Sequence, residues 1–353
     1  MFDLDDYDYE LPEDRIAQKP CEQRDCSRLL HLNRGSGDFS HRVFRDLPNF
    51  LRSGDVLVVN NTKVIPGRLL GRKDTGGKAE VLILTYAEGQ AGRKTAGEFT
   101  CTCLIKTSKK PRAGSMIYFD HGLCAQVLRQ SGDCYAVKFT CENDFDQVLY
   151  QVGKVPLPPY IRRNSKTGFC EDDTSYQTIY ASEKGAIAAP TAGFHFSAEL
   201  LAQLQHMGIA VVPITLHVGY GTFIPVRVSD IRDHTMHSET YAIGKHAAEV
   251  INDARAGGSR IVAVGTTSVR TLEFSASESG KIMAGVGHCN LFIYPGYQFK
   301  AVDAMITNFH LPRSTLLMLV SAFTGRDLVL KAYRAAIQDG YRFYSYGDAM
   351  LID

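Results

Sequence analysis

The chain changes texture twice, and that limits what it can fold into. Between about residues 66 and 150 it reads as short alternating strands, among them 80–84, 99–105, 115–119 and 135–139, separated by Gly-rich turns. Strands at such spacing suggest a small β-barrel or sandwich. From about residue 154 the pattern differs, opening with Val155-Pro156-Leu157-Pro158-Pro159-Tyr160, a polyproline-like strut. Strand-like runs (209–214, 260–264, 291–294) then alternate with helix-like runs (197–207, 245–256, 314–323), the pattern of an α/β layer fold. The apolar run Asp55-Val56-Leu57-Val58-Val59, on the other side of the β stretch, resembles this later set. The expectation is a discontinuous α/β main domain, residues 1–65 and 154–353, carrying an inserted small antiparallel β-barrel domain at 66–153.

Composition narrows the function classes. The 353 residues are 44% hydrophobic and 22% charged, the balance of a globular chain of about two domains. A formal charge of +1 gives no whole-protein field toward nucleic acid or an anionic membrane, so any such partner needs a local patch. The first fourteen residues carry seven acids and no base, unlike a secretory signal. The apolar stretch from Leu316 to Val320 is far short of the roughly 20 residues that span a bilayer. Nine cysteines with no Cys-x-x-Cys argue against a disulfide framework or a zinc ribbon, and reduced thiols in a cytoplasmic protein are expected.

The sharpest local signal is the run from Arg260 to Arg270, a buried strand, a tight glycine turn at Gly265 and a hydroxyl-rich helix start, Thr266-Thr267-Ser268. Free N–H groups at a helix start make an anion site, although plain capping by Thr266 or Thr267 explains the same residues. Leu216-His217-Val218-Gly219-Tyr220-Gly221-Thr222-Phe223 ends a strand in a glycine-rich loop whose spacing fits neither a dinucleotide nor a P-loop motif. Pro190-Thr191-Ala192-Gly193-Phe194-His195-Phe196 precedes a helix, where a planar ring could stack on Phe194 or Phe196 or those rings could be core. His234-Thr235-Met236-His237-Ser238-Glu239 offers groups suited to moving protons; its His-x-x-His spacing lacks a nearby third ligand, so no metal is expected. Asn308, His310 and Arg313 occupy a polar loop before an apolar helix. Residues 63–112 hold eleven Lys/Arg against four Asp/Glu, and Arg162, Arg163 and Lys166 extend that excess, which favours RNA over a merely solvated face.

Taken in order, these segments resemble one family, the S-adenosylmethionine:tRNA ribosyltransferase-isomerases of the queuosine pathway. The likeness runs from Tyr9-Glu10-Leu11-Pro12 and Ser27-Arg28-Leu29-Leu30 through Gly54 to Pro66, Gly153 to Ile161, Pro190 to Phe196, His217 to Phe223, Met236 to Glu239 and Gly265 to Arg270. It closes with Phe292 to Tyr297, Thr307 to Pro312 and Tyr344 to Met350. It departs at Gly287-His288-Cys289 and in having no Trp.

The resemblance implies an α/β domain with an inserted β-barrel. It also implies transfer and isomerisation of the ribosyl group of S-adenosylmethionine, a consumed co-substrate, onto 7-aminomethyl-7-deazaguanine at the tRNA wobble position, giving epoxyqueuosine and releasing adenine and methionine. The partner implied is the anticodon arm of tRNA, with no membrane and no obligate protein partner.

The sulfonium acidifies the ribose C5′ protons, so a base with a pKa near the working pH is needed, and an acid for the departing adenine. The candidates are His195, His217, His237, Glu239 and His310. Expected S-adenosylmethionine contacts are Thr191, Gly219, Gly221, Thr222, Phe223, Gly265, Thr266, Thr267, Ser268, Arg270 and Asn308. Expected tRNA contacts are Arg68, Lys106, Lys109, Lys110, Arg112, Arg162 and Arg163. Two rival readings are a phosphosugar isomerase, which has no use for the basic patch, and a non-catalytic RNA-binding protein, which leaves the His/Glu cluster unexplained.

Overall fold

A computed structural model describes residues 2–163 and 171–353, so the expectation for Lys166 lies outside it. The first strands are β1 (Arg28–Leu32), β2 (Phe39–Val43), β3 (Val56–Asn60) and the short β4 (Thr62–Val64). Six antiparallel strands follow: β5 (Arg68–Lys73), β6 (Lys78–Ile83), β7 (Glu98–Thr107), β8 (Met116–Tyr118), β9 (Cys124–Ser131) and β10 (Cys134–Thr140). They close into a barrel in the order β10-β7-β6-β5-β8-β9. Their burial alternates residue by residue, as in β10, because successive side chains point into and out of the barrel. Two helices flank it, α1 (Tyr86–Ala91) and α2 (Phe145–Val152), and Phe145 of α2 stacks on Phe99 at 4.3 Å within the barrel core.

The later chain adds the short α3 (Asp172–Ser175), β11 (Glu183–Ala186), α4 (Ala198–His206), β12 (Ala210–Leu216), β13 (Glu239–Ile243), α5 (Lys245–Ala256), β14 (Ile261–Val264) and α6 (Thr266–Ser275). After these come β15 (Gly285–Cys289), β16 (Ala304–Asn308), α7 (Thr315–Thr324), α8 (Arg326–Gln338) and β17 (Ala349–Ile352). Strands from before and after the barrel form one mixed nine-stranded sheet, in the order β15-β13-β12-β3-β14-β16-β17-β1-β2. Its central strands β3, β14, β16 and β17 are buried at every position because helices cover both faces. The expected α/β architecture with an antiparallel barrel is thus observed.

The expectation of a strand at 291–294 is corrected. The strand is Gly285–Cys289, and 291–294 has no regular structure; its apolar side chains pack on the core, with Phe292 and Tyr294 rings 5.0 Å apart. Apolar content there signalled burial, not a hydrogen-bonded ladder.

The barrel meets the sheet at a neck where the chain enters and leaves it. Arg68 and Lys154 exchange both backbone hydrogen bonds, at 3.0 and 2.9 Å, and β4 pairs in parallel with β11. A Cβ at Gly153 would lie 1.9 Å from the Pro66 carbonyl oxygen, so only glycine fits there.

Four parallel strands, β12, β3, β14 and β16, end along one edge of the sheet. His217, Asn60, Gly265 and Asn308 sit at or just past those ends. The carboxyl edge of such a sheet is where ligands of α/β folds usually bind.

Candidate active site

At that edge lies a cavity of about 480 Å³. Its walls come from the start of α6 (Gly265, Thr266, Thr267, Arg270), the 188–192 segment, the 222–226 loop and the 307–315 loop. Tyr160 and Tyr344 add aromatic surface. Gly265 turns the chain with φ +87°, a region that favours glycine, and no side chain caps α6 there. The first-turn N–H groups are therefore left without a side-chain cap at the cavity wall, which suits an anion.

Thr267 is held in place by Asn60, whose Nδ2 donates to Thr267 Oγ1 at 3.1 Å and to the Leu216 carbonyl at 3.0 Å. Asn60 Oδ1 accepts from the N–H groups of Thr62 and Leu216, both at 3.1 Å. This buried amide thus ties the ends of β3 and β12 to α6. Ser268 faces the other way, fully buried, with its hydroxyl donating to the Val264 carbonyl at 2.7 Å.

Arg270 lines the cavity but is already engaged. Nη1 donates to Glu239 Oε2, and Nε donates to the Leu291 carbonyl at 3.0 Å. Both partners of this ion pair are nearly inaccessible, with side chains 6% and 5% exposed. Burial, the largest single influence, would lower the guanidinium pKa; the charges of Glu239 and Cys289 and the hydrogen bonds to both together outweigh it and hold the pKa above its usual value. Glu239 Oε1 accepts the Gly219 N–H at 2.8 Å, so the pair also anchors the glycine-rich loop to α6.

A hydrogen-bonded run crosses the site. Thr191 Oγ1 donates to Asn308 Oδ1 at 3.0 Å, and Asn308 Nδ2 donates to the Tyr344 carbonyl at 3.1 Å. A carbonyl can only accept, so the amide orientation is fixed, and Nδ2 must also donate to His195 Nε2, 3.2 Å away. The proton of His195 then sits on Nδ1, facing Ser27 Oγ at 2.7 Å. Burial, helped by Arg342 and Arg24, pulls the His195 pKa down to about 3. Burial does the same to His310, also down to about 3, with its Nε2 2.8 Å from Thr307 Oγ1. Both rings are neutral at pH 7.

The other expected residues are spread around this centre. His217 has Nδ1 2.8 Å from Thr62 Oγ1; burial lowers its pKa against the opposing charges of Glu88 and Glu183. A Cβ on Gly185 would lie 2.6 Å from the His217 ring. His237 is exposed and packs on Gly221, where a Cβ would be 2.7 Å from its ring. Thr222 lines the cavity, whereas Gly219 and Gly221 are not in its wall, and the Phe223 side chain lies outside the described residues.

The basic residues are not one patch. Arg68 and Arg163 make bidentate pairs with Glu80 and Asp172. Lys106, Lys109, Lys110 and Arg112 are exposed on the barrel, the last three in the β7–β8 loop, at the end away from the neck. Arg162 is exposed, 3.6 Å from Glu13.

Sequence reasoning missed Asn60, Ser27, Arg24, Tyr344 and Ser345. Asn60 had a usable signal, an amide closing an otherwise apolar strand; Ser27, Arg24 and Ser345 are brought in by pairings across more than a hundred residues, and Tyr344 by the bond from Asn308, 36 residues away.

A family profile described as "Queuosine biosynthesis protein" matches residues 4–352. This chain belongs to that family. It is 52% identical over 353 residues to the S-adenosylmethionine:tRNA ribosyltransferase-isomerase of Desulfitobacterium hafniense, covering 99% of each chain. The protein of the same name from Symbiobacterium thermophilum is also 52% identical, over 352 residues and 99% of each. The crystal structure of S-adenosylmethionine tRNA ribosyltransferase from Thermotoga maritima aligns with a TM-score of 0.56 at 37% identity, over 99% of this chain and 100% of that one. Among the described residues no helix is long and apolar enough to cross a membrane, and no group of three His, Cys, Asp or Glu is gathered as for a metal ion.

Proposed function

We propose that this chain is an S-adenosylmethionine:tRNA ribosyltransferase-isomerase that acts on 7-aminomethyl-7-deazaguanine at the wobble position, forms epoxyqueuosine and releases adenine and methionine. The observation that carries the placement of the chemistry is the 480 Å³ cavity at the carboxyl edge of the parallel strands, opening on the uncapped first turn of α6. Its volume lies within the range of about 300–1,000 Å³ usual for small-molecule sites. In this reading the methionine carboxylate of the donor meets the N–H groups of Thr266 and Thr267. Thr191, Thr222 and Asn308 meet its polar groups, and Tyr160 and Tyr344 cover the apolar ones. A division at about residues 65 and 154, with the barrel as the inserted unit, belongs to the same proposal.

The residue roles follow from the environments. His195, neutral and hydrogen-bonded at both ring nitrogens, sets the Asn308 amide, and His310, also neutral, is held through Nε2 by Thr307. Proton removal at C5′ falls to the 217–239 segment, to His237 or His217, with Glu239 holding Arg270 and the Gly219 loop in register. The nucleophile is the amine of the RNA base, so no protein nucleophile is needed. Lys106, Lys109, Lys110, Arg112 and Arg162 serve the RNA backbone.

The test is incubation with S-adenosylmethionine and an anticodon stem-loop carrying the aminomethyl-deazaguanine, followed by mass spectrometry. Modified base, adenine and methionine together are expected. Folded protein that yields none of them refutes the proposal, and RNA binding without chemistry then becomes the better reading.

A further inference from the structure

The proposed reaction joins two substrates, and the structure holds two cavities with a shared wall. The second, about 470 Å³, lies on the other side of His195. Ser345 lines both, and the run from Thr191 through Asn308 and His195 to Ser27 crosses the partition between them. Thr191 and Asn308 belong to the first cavity, His195 and Ser27 to the second.

The second cavity has in its wall a guanidinium, that of Arg24, that meets no carboxylate among the described residues. Among the described residues, Arg24 donates only to backbone oxygens, of Phe194 at 3.3 Å and Thr174 at 3.4 Å, and lies 5.8 Å from the Phe194 ring centre. Its neighbours are satisfied differently: Arg28, Arg163 and Arg342 each hold an aspartate, respectively Asp339, Asp172 and Asp348. Burial lowers the Arg24 pKa, and only the tyrosines 180 and 346 oppose that. The remaining charges on the cavity are Lys19, Arg342, Glu22 and Glu171; both glutamates are exposed, so water and salt screen them.

A half-buried cation without a counter-ion is costly in the free protein, and a substrate anion relieves that cost. The two non-bridging oxygens of a phosphodiester match a guanidinium fork. The attacking amine must also reach the donor ribose, so the RNA has to enter beside the first cavity. We propose that the second cavity receives the RNA strand next to the modified base and that Arg24 grips a backbone phosphate there. This rests on the reading of the first cavity as the donor site.

The experiment uses the full chain with Arg24→Gln and Arg24→Lys. Binding of the aminomethyl-deazaguanine stem-loop is followed by fluorescence anisotropy between about 50 and 200 mM salt without S-adenosylmethionine, and KM is measured for both substrates. For Arg24→Gln the expected outcome is about tenfold weaker RNA binding and a log Kd–log salt slope smaller by about 0.7, the loss of one phosphate contact on a single strand. Arg24→Lys, which keeps the charge, retains the slope, and the KM for S-adenosylmethionine stays unchanged in both. A merely structural Arg24 would lower stability without altering the slope. An unchanged slope in folded Arg24→Gln, or a rise confined to the KM for S-adenosylmethionine, overturns the inference. Should Arg24→Gln not fold, the wild-type protein decides: the stem-loop, and not S-adenosylmethionine, should shield Arg24 from an arginine-specific dicarbonyl reagent, read by peptide mass, and absence of shielding overturns the inference. If wild-type protein binds the stem-loop but makes no product, the donor-site reading fails while the binding measurement still tests Arg24.

Discussion

Acidification from pH 7 to 5 should cost this protein several kcal/mol of stability, most of it from two side chains. His195 and His310 are buried, each at a cavity wall, with pKa values pulled down to about 3, from the ordinary 6.5, chiefly by burial. Each ring stays neutral in the folded chain, while the unfolded chain takes up a proton below about pH 6.5. Their contribution is therefore present above pH 6.5 and is lost progressively as pH falls toward 3. Between pH 7 and 5 that amounts to about 2 kcal/mol per ring, or about 4 kcal/mol for the pair. Carboxylates with lowered pKa values titrate below this window. His217 and His234, also lowered by burial, act in the same direction, so the informative quantity is a difference between proteins. Urea unfolding at the two pH values, on wild type and on His195→Gln, should show the variant losing about 2 kcal/mol less than wild type over the interval. A variant that loses as much as wild type would refute the assignment of a dry, neutral His195.

Glu239→Gln should destabilise the chain by about 3–5 kcal/mol in urea unfolding, because it leaves a buried Arg270 without its counter-charge. The double substitution Glu239→Leu with Arg270→Met should recover much of that stability but not the activity, and full additivity of the single effects would count against a coupled pair. Asn60→Ala strands the buried N–H groups of Leu216 and Thr62 and frees Thr267; a loss of about 1–3 kcal/mol is expected, with a raised KM for S-adenosylmethionine in steady-state assays. Replacing Lys109, Lys110 and Arg112 together by alanine should weaken stem-loop binding and reduce the salt slope by up to about 2, with the KM for S-adenosylmethionine unaffected.

Most of the architecture was readable from local patterns. The period-two alternation of 135–139 reports a barrel wall, and the unbroken apolar run 56–59 reports a strand covered on both faces. The glycine turn and hydroxyls from Gly265 onward likewise marked the helix start that lines the main cavity. What the sequence withheld is which partner each polar side chain finds. Arg270 reads as a free cation one turn into a helix, yet it is spent on Glu239, thirty-one residues away. Arg68 and Arg163 read as phosphate contacts, yet each is paired with a carboxylate of its own neighbourhood. Histidines 195 and 310 read as proton carriers from residue type alone; their acidity is set by enclosure, and enclosure depends on contacts such as Ser27 with His195, 168 residues apart. Hydrophobic period is a property of the segment, whereas pairing and desolvation are properties of the fold.

Every S-adenosylmethionine contact proposed above depends on the donor binding in the first cavity. A crystal structure of the full chain with S-adenosylmethionine tests that most directly. The ligand is expected between the start of α6 and the 307–315 loop, its carboxylate on the Thr266 and Thr267 N–H groups and its polar groups on Thr191 and Asn308. Density for the ligand in the second cavity beside Arg24, or at the barrel loops, would contradict it.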